Sequence, residues 1–454
     1  MEKTSRFYTL CDRLSLPTLF LFALECVLGC SGQWLRFGSV SIRMVLFAVC
    51  FLLTLPNVLR KMRQLTRTPQ VIFTLLYGVY LVAAAIIGWR NGNRLSFIVA
   101  DFTGCLSLAL LPGFLATIHT RHRLARVSDV LFYGALVLGF VTVVLHFWFA
   151  FASTDLINAM NNWLNDRAMG GFADLGGVQR IYLRSQIFLQ VGLLLGLRKI
   201  ETTRGAVRWL LYGAEGMLAF ACLMSFTRGF WLGFALSAVF LLVLKPLQWK
   251  RYLTTVGITA AVVALLFLLS SFAYTKPYAA QRFIGRFDSN LIAGTLLPPD
   301  ASDSATEPSD PDISDSDEAA VTLRQETLQM LWEKIGNKPL FGNGLGTNLD
   351  GLREDGKVEY TYLDVLMKMG IVGFLIFLCL FALPVWLLLK QRLQNWKSGK
   401  DGDWGSEEMH KMVLLAAYLG VAVTSAMNPF LLNPMGILLF MQLAAASVCG
   451  EIEI

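Results

Sequence analysis

Charge is what this chain has least of. Of its 454 residues only 16% are Asp, Glu, Lys or Arg, whereas a soluble globular domain carries about a quarter. A chain so poor in charge cannot clothe a water-facing surface, and 55% of it is hydrophobic, so lipid is read as its main solvent. Histidine is scarce as well, at 4 residues. All 8 cysteines except Cys11 fall in apolar runs or at their edges, a placement that gives neither a disulfide framework nor a zinc pattern. No small-residue cleavage site follows MEKTSRFYTLCDR, so the first apolar run reads as a retained span and not as a leader. The net charge of +7 then points to cytoplasmic loops and away from nucleic acid.

What is present is a succession of apolar runs. A span needs about 20 such residues, and the segments that qualify lie at 16–34, 39–57, 70–88, 95–117, 128–152, 181–197, 209–227, 229–245, 252–273, 361–389, 411–428 and 434–450. The expected architecture is therefore an all-α polytopic membrane protein of about 12 transmembrane helices. Lys and Arg crowd alternate loops: Arg60, Lys61, Arg63 and Arg67 after the second run, Arg198, Lys199, Arg204 and Arg208 after the sixth. The intervening short loops hold few, such as Arg36, Arg90 and Arg94. That asymmetry puts both termini in the cytoplasm.

Three sections follow: residues 1–273 with the first nine spans, a large extracytoplasmic loop over 274–360, and residues 361–454 with the last three. Within the loop, DASDSATEPSDPDISDSDE carries eight acidic residues from Asp300 to Glu318 and no basic one. Such a stretch cannot bury a core, and disorder is expected over about 299–319. A helix is expected over about 321–336, where Leu323, Leu328, Leu331 and Ile335 recur near one face. FGNGLGTN comes next; without a preceding strand and βαβ unit its glycines suit a tight backbone turn better than a nucleotide cradle.

Charged residues inside apolar runs are costly and mark candidate sites. Glu25 and Arg43 sit on adjacent runs and suit each other as a simple pair. Asp101 and Lys368 also qualify. Arg184 follows Arg180 by four residues, so a helix starting there shows both guanidiniums on one face, an arrangement suited to phosphate or to lipid headgroups. Arg228 lies in FTRGFW between two runs, in a turn expected to depend on Gly229. Glu359 and Asp364 stand at the start of the tenth span, where a carboxylate at the mouth of a partly desolvated cavity can serve as a general base.

Three segments now stand in a fixed order: FTRGFWLGFALSAVFLLV, LRQETLQMLWEKIGNKPLFGNGLGTN and EYTYLDVLMKMGIVGF. That order resembles the O-antigen ligase and polysaccharide polymerase superfamily, membrane glycosyltransferases of the GT-C type, over about 220–380. Thr227 and Arg228 match a Thr/Ser-Arg pair, Arg324 matches an Arg that opens the loop helix, and Pro339, Leu340, Gly342 and Gly344 match the stretch after it. Where the ligases carry a His-Asn pair, this chain has Glu359-Tyr360.

The resemblance implies a polyprenyl-diphosphate-linked glycan as donor, a glycan or lipid A–core as acceptor, and work on the outer face of the bacterial inner membrane among membrane lipid and other polysaccharide assembly proteins. Arg228 and Arg324 would stabilise the leaving diphosphate, Arg180, Arg184 and Asp364 would bind substrate, and Glu359 would take the acceptor proton, with no metal or other cofactor. The departure at Glu359 favours a polymerase over a ligase. A twelve-span transporter or lipid-linked glycan flippase is the reading from another class, and the long loop after span nine, with no paired broken helices in matching halves, argues against it.

Overall fold

The computed structural model describes residues 2–30, 32, 34–38, 40–175, 177–244, 249–274, 311–349, 358–397 and 406–449. Helices dominate. In chain order they are α1 (Glu2–Leu28), α2 (Ile42–Arg60), α3 (Met62–Leu65), α4 (Pro69–Arg90), α5 (Leu95–Cys105), α6 (Leu111–Thr117), α7 (Arg121–Phe149), α8 (Thr154–Asp166), α9 (Ile187–Thr202), α10 (Ala206–Leu223), α11 (Arg228–Leu244) and α12 (Trp249–Ala273). After residues 275–310 come α13 (Pro311–Asn337), α14 (Thr361–Lys397), α15 (Ser406–Thr424) and α16 (Pro434–Val448).

Seven stretches among the described residues are long and apolar enough to cross a membrane: α2, α4, the Leu95–Thr117 run that joins α5 to α6, α7, α10, the Tyr252–Ala273 part of α12, and α14. α11 and α16 are apolar but shorter, at 17 and 15 residues. The protein is thus all-α, with seven candidate membrane spans among the described residues. Most of the expected outer loop, 275–310 and 350–357, lies outside the described residues, as does the 299–310 part of the expected disorder. The helix around Leu331 begins at Pro311, ten residues before the expected start, so residues 311–319 are helical backbone.

α16 is the centre of the bundle. Every residue from Met435 to Val448 is buried, as expected of a helix that is hydrophobic all round, and it packs on α6, α7, α14 and α15. Asn433 caps it, accepting the Met435 and Gly436 amides at 3.0 and 3.1 Å. Around this post α1 pairs with α2, α4 with α14, and α9 and α11 with α15.

Two departures from the expected pattern matter for the site. The sixth span was expected over 181–197, but residues 179–183 form a strand. β1 (Gly170–Asp174) and β2 (Gln179–Leu183) make an antiparallel hairpin, a 3-10 turn spans Arg184–Gln186, and only then does α9 begin. The cause is local: Gly170 and Gly177 adopt φ 140° and 94°, backbone conformations that a helix cannot use.

The second departure is a break in α14. Gly370 adopts φ 64° and ψ −173°, which separates a short initial segment from the long apolar one. The glycine stretch after α13 fills the gap. The Asn343 and Gly344 amides donate to the Met367 and Lys368 carbonyls at 2.9 Å, and the Ile371 and Val372 amides donate to the Pro339 and Leu340 carbonyls at 2.8 and 3.2 Å. A Cβ on Gly342 would lie 2.5 Å from the Gly370 nitrogen, so both glycines are fixed by close approach of two backbones. FGNGLGTN is indeed a backbone turn, and its task is to splice a broken helix.

Candidate functional site

Against the splice lies a cavity of about 530 Å³, within the range of about 300–1,000 Å³ usual for ligand sites. Its charged lining comes from three places. The β2 strand and the turn after it contribute Arg180 and Arg184, α5 contributes Asp101, and Glu359, Asp364 and Lys368 come from the start of α14 and the residue pair before it.

Each charge has a physical support. Arg180 donates from Nε to the Ser225 carbonyl at 2.9 Å and from Nη2 to the Thr227 hydroxyl at 3.3 Å, which ties the hairpin to the α10–α11 turn. Its guanidinium also lies 5.7 Å from the Tyr182 ring centre. Ser185, beside Arg184, is fully buried and meets the Cys30 thiol at 3.2 Å, so the end of the hairpin is anchored to the residues just after α1. Lys368 is 6% exposed, with Nζ 2.9 Å from Asp101 and 2.9 Å from Asp364. The other Asp101 oxygen accepts the Gly346 amide at 2.7 Å. One cation therefore knits α5, α14 and the glycine splice together.

The sequence-derived residues divide as follows. Arg180, Arg184, Glu359 and Asp364 all line the cavity, but Arg180 and Arg184 do so from a strand and a 3-10 turn, not from one helix face. Arg324 is on α13, half-exposed, with its Nε 4.0 Å from a Glu359 carboxylate oxygen. Arg228 is half-buried and follows Thr227, which lines the cavity; Arg228 itself is not among the described lining residues. Gly229 does not make the turn there. The positive φ belongs to Phe226, at 48°, and Gly229 is inside α11, where a Cβ would stand 3.2 Å from the Asn428 amide nitrogen. That glycine lets α11 close on the segment before α16.

Glu25 and Arg43 form the expected pair at 2.5 Å, both nearly buried between α1 and α2. Sequence reasoning flagged Asp101 and Lys368 only as intramembrane charges and gave them no place in the site. Their signal was simply their sign: opposite charges in apolar runs that the chain brings together. Tyr77, Gln186 and Asn428 also line the cavity; single polar residues of this kind offered no spacing from which to find them.

Residues 216–378 match a family model described as O-antigen ligase. The match covers nearly the whole of the stretch that carries the three ordered segments, and it supports placement in the O-antigen ligase and polysaccharide polymerase superfamily. That family is associated with ligase-type, glycosyl-transferring activity on lipid and glycan substrates. No curated protein matches the chain.

Proposed function

We propose that this chain is a membrane glycosyltransferase that polymerises polyprenyl-diphosphate-linked oligosaccharide repeat units into a surface polysaccharide on the outer face of the inner membrane. The observation that carries the reading is the sharing of one cavity by Arg180, Arg184 and Glu359, with the Arg324 guanidinium against Glu359.

In this reading an acceptor hydroxyl attacks the anomeric carbon of the donor. The new C–O bond forms as the bond from that carbon to the diphosphate oxygen breaks, the Glu359 carboxylate takes the hydroxyl proton, and the lipid diphosphate leaves. Charge grows on the leaving oxygen, so guanidiniums fixed beforehand at that position lower the barrier. Arg180 and Arg184 face the cavity and suit the diphosphate, since guanidinium forms paired bonds to phosphate oxygens. Arg228 follows cavity-lining Thr227 in the chain and would add positive charge for the leaving diphosphate. Arg324 orients Glu359 through their ion pair, and α13 brings it there by packing Leu331 and Ile335 on Val358 and Met367.

Polymerase is favoured over ligase because Glu359-Tyr360 stands where the ligases carry a His-Asn pair. Deleting the gene and resolving surface glycan on a gel tests this. Lipid A–core capped with single repeats is the expected result. Loss of all glycan from the core, with long polymer still on the carrier lipid, would make the protein a ligase and overturn the polymerase reading.

A further inference from the structure

We infer that the end of the bundle opposite the glycine splice holds a second site, where the headgroup of an anionic phospholipid with two phosphates sits among α7, α9, α14 and α15. The inference goes beyond the glycosyl-transfer reading and does not rest on it.

Two adjoining cavities of about 210 and 340 Å³ lie there and share Arg121, Glu407 and Lys411. The smaller is also lined by Arg198, the larger by Arg392 and Glu408. Cations from four helices thus converge: Arg121 opens α7, Arg198 lies in α9, Arg392 near the end of α14 and Lys411 in α15. Carboxylates are fewer. Glu407 is shared by Arg121 at 2.5 Å and Lys411 at 3.5 Å, and Arg392 meets Glu408 at 3.4 Å. Asp129 serves both Arg198 at 4.0 Å and Lys199 at 2.9 Å. These named groups come to five cations and three carboxylates, and the excess matches a ligand with two phosphodiesters. Guanidinium suits such a ligand because it forms paired bonds to phosphate oxygens.

Depth and surroundings point to lipid as the source of the phosphate. From the splice at Gly370 to Arg392, α14 extends about 33 Å at 1.5 Å per residue, close to the hydrocarbon thickness of about 30 Å. A helix of that length puts the splice near one headgroup level and Arg392 near the other. Its end is dressed for such a level. Arg392 and Asn395 line the larger cavity, while the residue after each, Leu393 and Trp396, is 50% and 62% exposed. Tryptophan collects where lipid meets water. Leu124 and Ala125 line the smaller cavity, Leu388 and Met412 the larger, an apolar surface for the glycerol and first acyl carbons. A soluble phosphate has no use for it. Basic pockets between membrane helices are known seats for headgroups with more than one phosphate. A lipid held there ties α14, whose other end carries Asp364 and Lys368, to three further helices.

The test uses full-length protein in phosphatidylcholine nanodiscs, with or without a small share of diphosphatidylglycerol or phosphatidylglycerol at matched charge. Melting is followed by tryptophan fluorescence, and lipid retained after extraction into detergent is counted by native mass spectrometry. Diphosphatidylglycerol should raise the melting temperature and stay bound at one per chain. Arg392→Gln and Lys411→Gln should each weaken its retention about tenfold and remove the melting shift, whereas Lys411→Arg should keep both. Arg121→Gln, at a side chain 71% exposed, supplies the same reading if the other two do not fold. Arg60→Gln, at the end of α2 and outside both cavities, should change neither. Retention unaffected by all three cavity substitutions, or an equal melting shift from phosphatidylglycerol, overturns the site. An equal, substitution-sensitive shift from inorganic pyrophosphate in detergent would make it a soluble-anion site and overturn the lipid assignment.

Discussion

Two clusters of charge lie within apolar helices of this protein, and they have different fates. Glu25 and Arg43 meet between α1 and α2 with side chains 8% and 10% exposed, and neither lines the cavity beside the glycine splice. Asp101, Lys368 and Asp364 meet between α5 and α14, and all three line a cavity of about 530 Å³. Both clusters are costly to bury, and both are paired. The difference is place: the first joins two helices away from that cavity, while all three residues of the second line it. Burial of charge within a membrane therefore marks cost, and only a cavity beside it marks use.

The comparison breaks first at Arg43. Arg43→Ala leaves Glu25 buried without its cation and should cost about 3–5 kcal/mol of stability, seen as a large drop in melting temperature in detergent, while the folded fraction keeps its turnover per molecule. Replacing both partners by Leu should recover most of that loss, because the desolvation penalty goes with the charges. If Arg43→Ala instead abolishes turnover in folded protein, the two clusters are not different in kind.

On the cavity side, Glu359→Gln and Arg324→Ala should each lower the rate about 10²–10³-fold, the usual effect of removing one fixed polar group at a reacting centre, with little change in melting temperature. Polymer formation from lipid-linked repeats measures it. Next in size, Gly370→Ala forces a Cβ into positive φ and against the splice. The backbone term alone is about 1–3 kcal/mol, read as reduced thermal stability. The smallest effect concerns Asp12, outside the spans, where hydrogen bonding to Arg123 at 2.9 Å holds its carboxyl below the usual range. The depressed pKa adds stability that is present above the unfolded value near 3.8 and is lost as pH falls through the lower folded value. Because the pair is partly exposed, Asp12→Asn should cost under about 1 kcal/mol at pH 7, and acid melting curves of the two proteins should converge below that window.

Much of this was legible in the residues, and the reason differs from case to case. Apolar runs announce membrane helices because lipid tolerates nothing else along their length, and α2, α4, α7, α10, α12 and α14 fall where runs were seen. The Glu25–Arg43 pair followed from sign and adjacency alone. The face made by Leu331 and Ile335 was also visible, since helical spacing survives in a polar context. The hairpin carrying Arg180 was not, because VQRIYLRSQIFLQVGLLLG reads as one apolar run, and only glycines before it, Gly170 and Gly177, depart from helical backbone. The turn glycine was misjudged for a related reason: at 229 the need for no side chain comes from Asn428, far along the chain. Contacts of that kind leave no local pattern, and neither does the meeting of Asp101 with Lys368.

The splice has a consequence for how the protein is made. Residues 339–344 leave the ribosome before 367–372 do, so the patch exists before the gap it covers. Until the two meet, the amides of Ile371 and Val372 and the carbonyls of Met367 and Lys368 lack their partners, at several kcal/mol apiece if lipid surrounds them. The apolar part of α14 can enter the bilayer at once, but its first two turns have no stable resting place there until the glycine stretch docks. Insertion of that helix and docking of the preceding loop are thus halves of one event, and a chain that fails at the second carries its fault in the first.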